Sequence, residues 1–196
     1  MSRIWLVTGS GHGLGRDIVE AALAAGDKVV ATAREPALLD DLVEKYGGSI
    51  RTAALDVTDE AQCRAAIHVA LDAFDRIDIV VNNAGYGDSR PFEEFPADDF
   101  KRLVDTVFTG TVHMTRAAVR IMRAQQSGLI MQVSSVGGRA AWPGQAAYHA
   151  AKWAVGGFTD AVRAETAGFG VRLLTLEPGA IRTGWGKRAY KDRWPM

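Results

Sequence analysis

The sequence predicts an α/β fold, a doubly wound parallel sheet in three layers with helices covering both of its faces. Short apolar runs rich in β-branched residues, typical of buried strands, alternate along the 196 residues with longer segments whose apolar residues recur at helical spacing. Parallel strands need long crossover connections, and a helix between successive strands supplies them. We therefore expect six parallel strands separated by helices.

The individual elements follow from these patterns. Buried strands are predicted at residues 4–7, 29–31, 77–81, 129–133 and 171–176, and a less hydrophobic one at 50–55. Two predicted helices carry an apolar stripe on one face, the first formed by Cys63, Ala66, Ile67, Ala70, Leu71 and Phe74, the second by Phe100, Leu103, Val104, Val107 and Phe108. No repeat, low-complexity tract or linker divides the sequence, so we expect one domain over residues 1–196.

Charge and cysteine content exclude some classes of partner and location. The sequence holds 23 Lys and Arg against 23 Asp and Glu, a balance that favours neither nucleic acid nor an acidic membrane as a partner. Cys63 is the only cysteine, which excludes an internal disulfide and fits a reducing compartment. The apolar run after Arg3 is too short for a signal peptide or a spanning helix. The expected location is cytoplasmic.

A glycine-rich turn follows the first predicted strand. Residues 8–15 are Thr-Gly-Ser-Gly-His-Gly-Leu-Gly, and a helical stripe comes after them. Glycines at a strand-to-helix turn let the backbone approach a pyrophosphate, which the free N–H groups and the positive dipole end of the helix bind. Such a turn is a weak signal alone, but its place at the first strand-to-helix junction favours a nucleotide site. The candidate contacts are Gly9, Ser10, His12, Gly13, Leu14 and Gly15.

The end of the second predicted strand indicates which nucleotide binds. An acidic residue there would accept hydrogen bonds from the adenosine ribose and repel a 2′-phosphate. The sequence instead has Ala33 followed by Arg34, whose guanidinium suits a phosphate group, and His12 is a candidate for a second contact. The alternative is that Arg34 and His12 are ordinary solvated residues. We expect NADP(H) as the cofactor, with NAD(H) as the alternative.

These motifs resemble those of the classical short-chain dehydrogenase/reductase family, which builds its nucleotide loop as T-G-x-x-x-G-x-G on a Rossmann fold. Residues 55–57, 82–85 and 178–183 are similar to further family motifs, and each follows or ends a predicted strand. The resemblance implies that the cofactor meets Asp56 and Val57 at the adenine, Asn82, Asn83, Ala84 and Gly85 at the riboses, and Pro178, Gly179, Ile181 and Thr183 at the nicotinamide.

Three residues form a candidate catalytic group. Tyr148 and Lys152 lie four residues apart, on one face of a predicted helix, and Ser135 lies thirteen residues before Tyr148, which is the family's spacing. A free phenol has a pKa of about 10, and a nearby ammonium lowers it by favouring the phenolate. The resemblance implies that Tyr148 exchanges a proton with the substrate oxygen and that Ser135 hydrogen-bonds this oxygen. Lys152 would tune Tyr148 and hold the nicotinamide ribose.

Two features depart from the family pattern. Val107 stands where the family usually carries an asparagine that links the lysine to solvent through water, so the family's proton relay is not implied for this sequence. Val107 also belongs to an apolar stripe, which favours a role in the core. The sequence ends soon after Thr183, so we expect a sheet that stops before the family's usual seventh strand.

The sequence therefore predicts an NADP(H)-dependent oxidoreductase that interconverts a carbonyl and a secondary alcohol on a small molecule. The alternative is a dinucleotide-binding protein with little turnover, and the glycine spacing disfavours an extended-type epimerase or dehydratase. The histidines are scattered, so no metal site is expected. The predicted helices at 109–125 and 148–166 are the surfaces through which family members usually pair, which predicts a homodimer or homotetramer.

Overall fold

A single parallel sheet with helices on both faces forms the protein, as the computed structural model describes it for residues 2–181 and Ala189. The strands are β1 (Ile4–Val7), β2 (Lys28–Ala33), β3 (Ile50–Ala54), β4 (Ile79–Asn82), β5 (Gly128–Val133) and β6 (Val171–Leu176). The helices are α1 (Gly13–Ala24), α2 (Asp40–Tyr46), α3 (Glu60–Phe74), α4 (Ala97–Val104), α5 (Gly110–Gln125) and α6 (Ala146–Thr166). The described residues give the sheet six strands, so the predicted doubly wound fold is confirmed.

The strand order is β3-β2-β1-β4-β5-β6, with every neighbouring pair parallel. The chain winds from β1 to β3 in one direction, then returns past β1 and winds from β4 to β6 in the other. Val7, the last residue of β1, pairs with Ala31 of β2 on one side and with Val81 of β4 on the other. Connections leave β1 and β4 in opposite directions, which opens a crevice at their carboxyl ends.

The core lies on both faces of the sheet, because successive strand residues point to opposite sides. On β1, Leu6 is buried with Ile67 of α3 and Met114 of α5, while Val7 is buried with residues of α1 and α2. The predicted stripe on α3 is confirmed: its members are buried except Leu71, which is half-buried. Burial also raises the pKa of the Cys63 thiol to about 12, so this cysteine stays protonated.

The second predicted stripe does not belong to one regular helix. Helix α4 ends at Val104, and a π-helical turn from Asp105 to Thr109 joins it to α5. The carbonyl of Val107 accepts a hydrogen bond of 2.9 Å from Oγ1 of Thr111. Leu103 and Val107 are nevertheless fully buried, so the apolar pattern correctly predicted that these two residues face the core.

Other differences from the predicted elements are small. β2 extends to Ala33 because its last residues pair with Ala53 and Ala54 of β3. β4 begins at Ile79, since the backbone N–H of Ile77 donates to the side chain of Gln125. In the part of the chain that the structure describes, no helix combines the length and apolarity needed to cross a bilayer.

Two helical glycines provide a matched test of this packing. A methyl group at Gly110 would lie 2.5 Å from Cγ2 of Val57, whereas nothing lies within 4 Å of one at Gly157. We expect Gly110→Ala to lower the free energy of unfolding by about 1–3 kcal/mol through overpacking. Gly157→Ala should raise it by roughly 0.5–1 kcal/mol through helix propensity. Urea denaturation measures both, and equal effects would contradict the packing described for α5.

Candidate active site

The glycine-rich turn after β1 lies directly against the end of β4. Gly9 has φ +68°, and a methyl group on it would lie 2.9 Å from Cα of Ala84. One on Gly15 would lie 2.4 Å from the carbonyl oxygen of Gly9 and from Nδ2 of Asn83. Only glycine allows this approach at both positions. The neighbouring strand end therefore requires glycine at these two positions, independently of the predicted approach of a pyrophosphate.

Hydrogen bonds tie the same two strand ends together. Oγ1 of Thr8 accepts bonds of 3.0 Å from the backbone N–H groups of both Asn83 and Ala84. In return, Nδ2 of Asn83 donates to the carbonyl oxygens of Thr8 (2.9 Å) and Gly9 (3.2 Å). The crevice between β1 and β4 therefore has a floor of fixed shape.

The N-terminus of α1 faces this crevice without a protein cap. His12 precedes the helix with an extended backbone, and its side chain makes no capping hydrogen bond. The first turn of α1 contains no acidic residue. The N–H groups and positive dipole end of α1 are thus suited to an anionic group such as a pyrophosphate.

One cleft of about 1210 Å³ at this edge of the sheet contains most of the predicted site residues. Ligand pockets of roughly 300–1,000 Å³ hold drug-sized molecules, so this cleft has room for a dinucleotide and a small substrate. The predicted residues that line it are Gly9, His12, Gly13, Leu14, Gly15, Arg34, Asp56, Val57, Asn83, Ala84, Gly85, Ser135, Tyr148, Lys152, Pro178, Gly179 and Ile181. The predicted Thr183 lies outside the described residues.

Ser10 and Asn82, also predicted as cofactor contacts, do not line this cleft. Ser10 is fully buried, and its hydroxyl donates to the carbonyl of Val7 at 2.8 Å. Nδ2 of Asn82 donates to Thr115 (3.0 Å) and Gln132 (2.7 Å) beneath the sheet edge. Adjacent strand residues face opposite ways, so of the two consecutive asparagines only Asn83 reaches the cleft.

Two charged residues follow β2 at the rim of the cleft. Arg34 and Glu35 are both exposed, and both line it. The sequence prediction rested on Arg34 and His12 and did not include Glu35, whose carboxylate beside Arg34 opposes the binding of a phosphate. At the next strand end, Oδ1 of Asp56 accepts from the backbone N–H and the hydroxyl of Thr58. These bonds hold the Asp56 carboxylate at the cleft wall.

Tyr148 and Lys152 lie on the first two turns of α6, and both side chains are buried. Nζ of Lys152 donates a hydrogen bond of 2.6 Å to the carbonyl of Val133 at the end of β5. It lies 5.7 Å from the centre of the Tyr148 ring. Burial lowers the pKa of Lys152 to about 8, because the apolar surroundings disfavour its charged form.

Ser135 lies between β5 and a short 3₁₀ turn from Val136 to Gly138. Its Oγ accepts a hydrogen bond of 3.0 Å from the backbone N–H of Gly137. The hydroxyl's own hydrogen is therefore left for donation to another oxygen. Ser135, Tyr148 and Lys152 thus line one cleft, although they come from a loop and a helix.

Val107 packs beside these residues. It belongs to an apolar cluster with Leu103, Ala147 and Tyr148. A methyl group at Gly85 would lie 3.4 Å from Cγ2 of Val107 and 4.0 Å from Nζ of Lys152. An apolar side chain thus lies near Gly85, as the buried ammonium does, at the position where an asparagine was expected from the family pattern.

The sequence analysis did not predict several residues that line the cleft, among them Leu38, Tyr86, Arg102, Trp142 and Gln145. The segment Trp-Pro-Gly-Gln just before α6 offered a signal, because an aromatic residue beside turn residues ahead of a catalytic helix is a natural cleft wall. Tyr86, Leu38 and Arg102 carried no such signal. Among the described residues no three His, Cys, Asp or Glu side chains are grouped as metal ligands.

A doubly wound sheet with a cleft at the carboxyl ends of its strands and a buried Tyr–Lys pair is typical of Rossmann-type oxidoreductases. The short chain dehydrogenase family model matches residues 3–194. The chain therefore belongs to the short-chain dehydrogenase/reductase family of oxidoreductases, as its motifs predicted.

Individual relatives agree with this assignment. The oxidoreductase BOA17 of Botryotinia fuckeliana is 48% identical over 186 residues, which cover 94% of this chain and 68% of that protein. The oxidoreductase calM of Penicillium decumbens is 37% identical and covers 97% of this chain and 65% of that protein. A 3-oxoacyl-(acyl-carrier-protein) reductase of Synechocystis sp. is 35% identical over 93% of this chain and 75% of that protein. The chain thus spans about two thirds to three quarters of the length of these relatives.

Solved structures share the fold closely. A short-chain dehydrogenase from Streptomyces avermitilis superposes with a TM-score of 0.89 at 39% identity, covering 93% of this chain and 68% of that one. A short-chain dehydrogenase/reductase from Burkholderia phymatum, solved in complex with NAD, superposes with a TM-score of 0.90 at 28% identity. The superposition covers 95% of this chain and 69% of the Burkholderia phymatum chain.

Burial of the Lys152 ammonium is expected to lower the stability of the folded protein. Lys152→Met keeps a long unbranched side chain and removes the charge. Because the pKa of Lys152 is about 8 when folded and 10.5 ordinarily, the desolvation cost is full below pH 8 and disappears as the pH rises toward 10.5. We expect the Met variant to be more stable than wild type by about 1–3 kcal/mol at pH 7, and by less at pH 10. Urea unfolding at both pH values measures this, and a less stable variant at pH 7 would mean that the bond to Val133 outweighs desolvation.

Proposed function

We propose that this protein is an NADP(H)-dependent oxidoreductase that interconverts a carbonyl and a secondary alcohol on a small molecule. The observation that carries the proposal is the buried ammonium of Lys152, 5.7 Å from the Tyr148 ring in the cleft that Ser135 also lines. An ammonium buried so close to a phenol stabilises the phenolate form, which a proton-transfer catalyst near neutral pH requires.

The roles of the three side chains follow from their hydrogen-bonding capacity. Tyr148 donates its phenolic proton to a carbonyl oxygen in reduction, or accepts one from an alcohol in oxidation. Ser135 already accepts from Gly137, so its hydroxyl donates to the same substrate oxygen as charge develops there. Lys152 offsets the negative charge left on Tyr148. The nicotinamide cofactor, when bound, supplies or removes the hydride.

The cofactor's adenosine end is proposed to lie beside Arg34. The guanidinium is exposed at the cleft rim, where it can approach a 2′-phosphate, and His12 lies in the same wall. Glu35 works against this preference, because its carboxylate would repel the phosphate. The Burkholderia phymatum relative was solved with NAD, which is the alternative cofactor for this chain.

The substrate is proposed to be a small, largely apolar carbonyl compound or alcohol. Trp142, Tyr86 and Ile181 each line the cleft and each expose more than a third of their surface. Such side chains bind apolar groups rather than charged ones. A nucleic acid or membrane partner is not part of this proposal, and a cytoplasmic location stays a prediction.

A second function, dinucleotide binding with little turnover, is favoured by one observation. Val107 is fully buried, it lies near Gly85 as Lys152 does, and it has no polar group through which water could pass protons to the ammonium. Proton supply through Lys152 would then be slow. The two functions differ in turnover and not in cofactor binding.

We also propose that the protein assembles as a homodimer or homotetramer through α5 and α6. Trp153 on α6 is 53% exposed, so a large apolar side chain faces solvent on one of the two helices that are predicted to pair. Burying it against a second copy of α6 would remove that apolar surface from water.

Cofactor preference tests the interpretation of Arg34. We expect NADPH to bind at least about tenfold more tightly than NADH, a difference of roughly 1.4 kcal/mol. Arg34→Ala should remove most of the preference, because one charge-assisted contact contributes roughly 1.5–3 kcal/mol. Glu35→Gln should increase the preference, because it removes the opposing charge. Fluorescence titration with both nucleotides measures each Kd, and equal affinities in the wild-type protein would contradict the proposal.

Removing one hydroxyl tests the chemistry. Tyr148→Phe should keep the fold and the cofactor affinity while lowering kcat at least about 100-fold, the lower end for a general acid or base. Tyr46→Phe, which makes the same change on α2 away from the cleft, is the matched control and should keep full activity. A screen of carbonyl compounds followed by NADPH absorbance supplies the assay. Full activity of the Tyr148→Phe variant would refute the mechanism, and binding without turnover in wild type would favour the second function.

A further inference from the structure

His149 follows Tyr148 on α6 and faces the loop that carries Ser135. The imidazole is only 5% exposed. Its Nδ1 lies 2.8 Å from the carbonyl oxygen of Gly137, and its Nε2 accepts from the backbone N–H of Trp142 at 3.2 Å. One ring therefore contacts the loop at two points that are five residues apart.

These two contacts determine the protonation of the ring. A carbonyl oxygen can only accept, so Nδ1 must carry a hydrogen and donate it to Gly137. A backbone N–H can only donate, so Nε2 must be bare. The neutral Nδ1–H tautomer satisfies both partners, and no other form of the ring does.

The contact with Gly137 leads directly to Ser135. The N–H of Gly137 donates to Oγ of Ser135 at 3.0 Å, while its carbonyl accepts from His149. A methyl group at Gly137 would lie 3.0 Å from Nδ1 of His149 and 3.3 Å from a ring carbon of Tyr148. Gly137 is thus held against both helix residues, and its N–H and carbonyl link His149 to the Ser135 hydroxyl.

The contact with Trp142 holds the other end of the loop. The indole packs edge-on against the imidazole, with ring centres 4.5 Å apart, and its Nε1–H donates to Oε1 of Gln145 at 2.9 Å. The backbone N–H of His149 in turn donates to the carbonyl of Gln145 at 2.9 Å. The indole is therefore fixed as one wall of the cleft.

We propose that His149 is a positioning residue for the reaction: through Gly137 it holds the Ser135 hydroxyl in place beside Tyr148, and through Trp142 it separately holds the substrate wall. The part that concerns turnover rests on the function proposed above. His149 touches neither cofactor nor substrate in this scheme. Its two nitrogens serve two different partners, so the two effects are separable by substitution.

Three substitutions of His149 separate its effect on Ser135 from its effect on Trp142. His149→Phe keeps a ring but loses both hydrogen bonds. His149→Asn places an amide N–H near the position of Nδ1, so it can still donate to Gly137 but cannot reach Trp142. His149→Gln places an amide oxygen near the position of Nε2, so it can still accept from Trp142 but no longer donates to Gly137.

Amide hydrogen exchange, followed by NMR, tests the two contacts without any turnover. We expect the Trp142 N–H to exchange about tenfold faster in the Phe and Asn variants than in wild type, and to be protected again in the Gln variant. The Gly137 N–H, which donates to Ser135, should exchange slowly in wild type and the Asn variant and fast in the Phe and Gln variants. Exchange of both amides that is unchanged in the Phe variant would overturn the proposal.

Kinetics test the effect on Ser135. We expect His149→Phe and His149→Gln to lower kcat roughly 10- to 100-fold with cofactor affinity unchanged, and His149→Asn to restore most of the rate. In a Ser135→Ala background, His149→Gln should lower kcat no further, because it removes only the Gly137 contact and the hydroxyl that this contact positions is gone. Additive losses, or failure of Asn to rescue, would overturn the positioning role. Absence of turnover in the wild-type protein, with the exchange pattern as expected, would reject the proposed function and leave the two contacts established.

Discussion

The close contact between the turns that follow β1 and β4 shapes the whole site. β1 and β4 are neighbours from which the chain winds in opposite directions, so their carboxyl ends must define the crevice. Thr8 accepts from two consecutive N–H groups after β4, and Asn83 donates back to the turn after β1. The glycines at 9 and 15 allow this contact at distances that no side chain would tolerate. The uncapped end of α1 is held facing the cleft as a result.

Helix α6 supplies the second half of the site, with neighbouring side chains that contact different partners. Lys152 donates to the end of β5, His149 reaches the loop after β5, and Tyr148 packs against Val107 and Leu103. The chemistry conflicts with stability at one point, since burying Lys152 lowers its pKa and makes its charged form costly. The same burial strengthens the electrostatic effect of that ammonium on nearby groups, because little water screens it.

Much of the fold could be predicted because its signals are local. A strand buried on both faces needs a continuous apolar run, and the predicted strands match the observed ones within two residues at each end. The differences arise where long-range contacts intervene. β4 starts late because Gln125, on a distant helix, takes the N–H of Ile77, and the π-helical turn before α5 divides a stripe that looks regular in sequence. The spacing of apolar residues indicates neither the hydrogen bond to Gln125 nor the π-helical turn.

Motif spacing and apolar period depend only on neighbours along the chain, so they predicted the sheet, the glycine-rich loop and the places of Ser135, Tyr148 and Lys152 at strand and helix ends. The folded structure determines which member of each motif faces the cleft. Asn83 lines the cleft and Asn82 does not, because successive strand residues point to opposite faces of the sheet. The side chain of Asn82 points to the face where it donates to Gln132 and Thr115. The folded structure also determines that His149, which follows Tyr148 in the Tyr-x-x-x-Lys segment, contacts Gly137 and Trp142. Those partners come together only when the loop after β5 folds back onto α6.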